Sequence, residues 1–110
     1  MTDLEQLSRD AAKVLTQKFE FKALEFNASI GCVWSRYDEP GIPLHESTEA
    51  CAEIYIRELL PLGVYLIQSC GTIIAWNSEG TIELAMVALL PDDMQAFRTA
   101  VLRALIEVKK

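Results

Sequence analysis

The stretch from Val64 to Pro91 constrains the fold more than any other part of the chain. It is apolar almost throughout, yet Gly71 and the run Asn77-Ser78-Glu79-Gly80 cut it and Pro91 ends it. Turn residues at those places divide it into strands over Val64–Cys70, Thr72–Trp76 and Thr81–Leu90, a meander of antiparallel strands. In the third strand Ile82, Leu84, Met86, Ala88 and Leu90 alternate and are expected to face the core. A sheet with one apolar face needs a second layer to bury it, and helices on either side of the meander supply that layer.

Three helices are signalled. Thr2 and Glu5 have capping-box spacing, and Leu4, Leu7, Ala11, Val14 and Leu15 follow as one stripe, so the first helix is expected over residues 3–18. The second is expected over Thr48–Leu60, capped by Ser47, favoured by Glu49 in its first turn and ended by Pro61 and Gly63. Its apolar stripe of Ala52, Tyr55, Ile56, Leu59 and Leu60 is widened by Cys51 and Ile54, enough to touch two surfaces. Asp92, with Gln95 three residues on, caps the last helix, whose expected buried side is Met94, Phe97, Val101, Ala104, Leu105 and Val108. Between the first two helices, Ala28–Tyr37 reads as a strand, Asp38-Glu39-Pro40-Gly41 as a type II turn, and Ile42–Leu44 as a short edge strand, because Pro43 lacks a ladder N–H. Phe19–Asn27 fits either a short strand or a helical extension. The expected fold is therefore a single α+β domain over 1–110, with one antiparallel sheet of four to five strands packed by three helices in the order α-β-(β)-α-β-β-β-α.

That element order is similar to the roadblock family of dimeric adaptor domains, which regulate GTPases and motors. The last hairpin and helix, Gly71 to Glu107, also resemble the small acidic chaperones of bacterial secretion systems. Both resemblances imply a protein that works by docking.

Composition leads the same way. The chain has 110 residues, 51% of them hydrophobic, and a mean hydropathy of +0.18. A domain this small has much surface and little interior, so apolar residues exceed what one core takes up. The surplus is expected to serve a partner surface, and a homodimer is expected. Leu59–Ala75, the longest weakly polar stretch, is broken by Pro61, Gly63, Gln68, Ser69 and Gly71, short of the ~20 apolar residues that span a bilayer. No membrane span is expected. The start Met1-Thr2-Asp3-Leu4-Glu5 lacks a basic segment and an apolar run, so the chain is expected not to be exported. Cys32, Cys51 and Cys70 fit neither a disulfide framework nor a metal or redox motif, which favours a reducing cytoplasm. Ten basic against sixteen acidic residues give a net charge of −6, and this acidic balance argues against a nucleic-acid partner.

Chemistry-bearing residues are few. His45 is the single histidine, so a small enzyme or ligand sensor would have to pair it with a cysteine in a pocket between sheet and helices. The local charges are mostly acidic, which disfavours a thiolate. The glycines are isolated and form no phosphate loop, and the acids show no metal-ligand spacing, so neither cofactor nor metal is expected. The densest charge feature is Asp38, Glu39, Glu46, Glu49, Glu53 and Glu58 against Arg36 and Arg57. An acidic face of this kind steers a basic protein partner. The expected partner-binding residues are Glu46, Glu49 and Glu53, with Tyr37, Tyr55 and Trp76 as aromatic anchors.

Overall fold

The structure, a computed structural model, describes residues 3–15, 20–22, 24–27, 30–35, 41–77, 83–88 and 92–109, with the backbone alone for 34–35 and 83–86. Its elements are α1 (Asp3–Val14), β1 (Leu24–Asn27), β2 (Cys32–Ser35), β3 (Ile42–Pro43), α2 (Thr48–Ile54), β4 (Tyr65–Ser69), β5 (Thr72–Trp76), β6 (Glu83–Ala88) and α3 (Asp93–Lys109). A 3-10 turn, Leu44–Glu46, leads into α2; a π turn, Tyr55–Leu59, and a second 3-10 turn, Leu60–Leu62, carry its helical path onward.

The class is α+β, as expected, but the strands form two sheets of three, β1-β2-β3 and β4-β5-β6, instead of one sheet of four to five. Pro43 supplies a physical reason. It pairs with Cys32 at the outer edge of β2, and with no N–H to offer it cannot continue a ladder towards the meander. Of the ambiguous segment before β2, Leu24–Asn27 forms a strand, β1, which pairs with β2 from Leu24↔Ser35 to Asn27↔Cys32.

Helix α3 is the centre of the core. It packs against α1, α2, β5 and β6. Val101, Leu102, Ala104 and Leu105 are buried with Ala11, Ala12 and Leu15 from the α1 region, Val33 of β2, Ala50, Cys51 and Ile54 of α2, and Ala75 of β5. A smaller cluster, Ile73 with Ala96 and Ala100, flanked by Leu66, Val87 and Phe97, joins α3 to the second sheet.

The caps of the last two helices fall where the sequence placed them. Ser47 Oγ accepts the Ala50 N–H at 3.2 Å, and Asp92 Oδ1 accepts from Met94 and Gln95 at 3.0 and 3.1 Å. Gly63, at φ 79°, ends the second helical path in the left-handed conformation. The predicted capping residue Thr2, the turn at Asp38-Glu39-Pro40, the turn residues Ser78-Glu79-Gly80, and Pro91 lie outside the described residues.

Two expectations are corrected. Val87 of β6, opposite Ile73, packs on the α3 side, while Ala88, opposite Thr72, is exposed. Val87 and Ala88 thus lie on the faces opposite to those read from alternation, because the pairing of Val87 with Ile73 sets which side meets α3, and alternation alone does not. Met94, expected in the core, is 47% exposed, since it lies at the mouth of α3 beyond the edge of the packed cluster.

Candidate functional site

The second sheet presents an uncovered face. Cys70 and Gly71, with φ of 50° and 77°, form the two-residue turn joining β4 to β5; positive φ at both positions is type I′ geometry, whose twist suits a hairpin. The turn fixes the register Ser69↔Thr72, Ile67↔Ile74 and Tyr65↔Trp76. Since Ile73 and Ala75 face α3, alternation puts Thr72, Ile74 and Trp76 on the opposite side, together with Tyr65, Ile67 and Ser69. Ile67 is 40% exposed, and Tyr65, Ile74 and Trp76 are half-buried. Trp76, a predicted anchor, therefore sits at one end of this face. No charged side chain is among these six.

The end of the α2 path borders the same sheet. Tyr55 Oη accepts the Leu66 N–H of β4 at 3.0 Å, and its ring meets Phe97 edge to face at 6.3 Å. Tyr55 is thereby committed to joining α2, β4 and α3. Beyond it, Ile56, Leu60 and Leu62 are exposed, Ile56 by 59%.

The predicted acidic residues divide. Glu46 and Glu49 are exposed at the N-terminal end of α2. Glu53 is engaged within the fold: its carboxylate accepts the Lys22 main-chain N–H at 3.0 Å and lies 3.5 Å from the Arg57 guanidinium. Arg57 also donates to the Glu20 carbonyl, and Glu58 pairs with Lys109 at 3.1 Å. Tyr37 lies outside the described residues.

His45 is placed at a junction that sequence reasoning missed. It is 8% exposed, and Ser8 of α1, 2% exposed, holds it twice: Ser8 Oγ accepts the His45 main-chain N–H at 2.9 Å and lies 2.7 Å from Nδ1. Its carbonyl accepts from Arg98 Nε at 2.8 Å, and Arg98 reaches on to Thr48 Oγ1 at 2.7 Å. The histidine thus ties α1, the start of α2 and α3 together. It bonds a serine, not a cysteine. Cys51 is buried, its thiol directed to the Leu44 carbonyl at 3.3 Å, and burial pushes its pKa up to about 12, against a smaller opposing pull from Arg98. A thiol held neutral in this way is a poor nucleophile.

A shallow cleft of about 240 Å³ lies between α1 and the first sheet, lined by Glu5, Ser8, Arg9, Ile30, Cys32 and Pro43. Gly31 lets the chain approach α1 closely: an added Cβ would come within 2.9 Å of the Ser8 carbonyl oxygen, and the residue has φ 67°. Among the described residues no group of three or more His, Cys, Asp or Glu comes together as a metal site, and no helix is long and apolar enough to cross a membrane.

Among the described residues, the geometry is that of an α+β chain with an apolar face on its second sheet and the exposed carboxylates of Glu46 and Glu49 beside a helix start. No family model, curated protein or solved structure matches it.

Proposed function

We propose that this chain is a small acidic protein-binding module that acts by docking to a partner protein, in the manner of an adaptor, a secretion chaperone or an inhibitor, and that it works as a homodimer in the reducing cytoplasm. The observation that carries the reading is the uncovered face of Tyr65, Ile67, Ile74 and Trp76, with the exposed Ile56, Leu60 and Leu62 nearby. A contiguous apolar surface on a small chain marks an interaction site. Glu46, exposed although its Oε1 lies 3.9 Å from His45 Nε2, and the exposed Glu49 are the acids best placed to steer a basic partner. The three cysteines are unpaired, in keeping with a reducing compartment. An enzymatic reading built on His45 and a cysteine draws no support from a histidine bonded to Ser8.

Light scattering after size-exclusion chromatography, with identification of proteins that co-purify from the native cell, tests this reading. A dimer that captures a defined basic partner is expected. Charge reversal by Glu46→Lys and Glu49→Lys is expected to slow that capture, most clearly at low salt. A strictly monomeric chain that captures nothing overturns the proposal, and unchanged capture rates in the reversed variants remove the acidic residues from it.

A further inference from the structure

We draw no further inference here: the strongest candidate, the apolar face of the second sheet formed by Tyr65, Ile67, Ile74 and Trp76, carries none, because nothing in the structure shows what covers it.

Discussion

His45 shows how much one buried polar residue can organise. Ser8 Oγ already accepts the His45 main-chain N–H, so its own hydroxyl proton is free to donate to Nδ1. Ser8→Ala removes both partners at once in a buried place, and a loss of about 1–3 kcal/mol in urea unfolding is expected. Gly31→Ala meets two obstacles, the positive φ and the Ser8 carbonyl 2.9 Å from the new Cβ; a loss of roughly 1–3 kcal/mol is expected from the same measurement. Cys51 gives a pH signature. Its folded pKa of about 12 stands above the thiol's ordinary value of 9.0, so between these values the native chain binds the proton that the unfolded chain has released. Stability is therefore intact below pH 9 and falls as pH rises towards 12, by at most about 1.4 kcal/mol per pH unit from this group. Cys51→Ala is expected to flatten that alkaline slope in denaturant titrations. His45 stands out in the sequence as the single histidine, but its partner lies 37 residues away, and no local pattern joins them. One signal was present: Ser8 falls between Leu4 and Ala11 on the apolar stripe of the first helix, where a small polar residue needs a bonding partner.

At the scale of elements, what is written in short-range chemistry was legible and what depends on strand pairing was not. Ser47, Asp92 and Gly63 act within a few residues of themselves, and each ends or starts a helix where its chemistry says it should. Asp92→Ala is expected to cost about 1 kcal/mol, seen as a lowered melting temperature, because two helix N–H groups lose their acceptor. The partner of a strand is a long-range matter. The alternation of β6 is clear in the sequence, yet its pairing puts Val87, opposite Ile73, and not Ala88 on the α3 side, and alternation alone does not say which of two faces is buried. The split into two sheets was half visible: Pro43 marked an edge, but the strand Leu24–Asn27 on the other side of β2 hid in a pattern that slips. Of the expected anchors, Trp76 lies on an open face, while Tyr55 is occupied between α2, β4 and α3, a role its place on a wide stripe did not separate from docking.

For the molecule as a whole, apolar surplus and negative charge occupy different places. The exposed acids Glu46 and Glu49 stand at the start of α2, and the apolar groups Ile56, Leu60, Leu62 and Ile67 lie at its far end and on β4. Contacts made at the two places answer differently to salt: steering by Glu46 and Glu49 weakens as salt is added, and apolar association at Ile56, Leu60, Leu62 and Ile67 strengthens in excluded salts such as sulfate. The measured sign of the salt response therefore reports which surface a given partner uses. The division of the strands has a different consequence. Among the described residues no ladder bond joins β1-β2-β3 to β4-β5-β6, and the buried cluster around α3 holds both. Each sheet is thus a separate opening unit. In native-state hydrogen exchange the amides of the two sheets are expected to form two groups with distinct opening free energies, while those of α3 around Leu102 and Leu105 exchange last, by global unfolding.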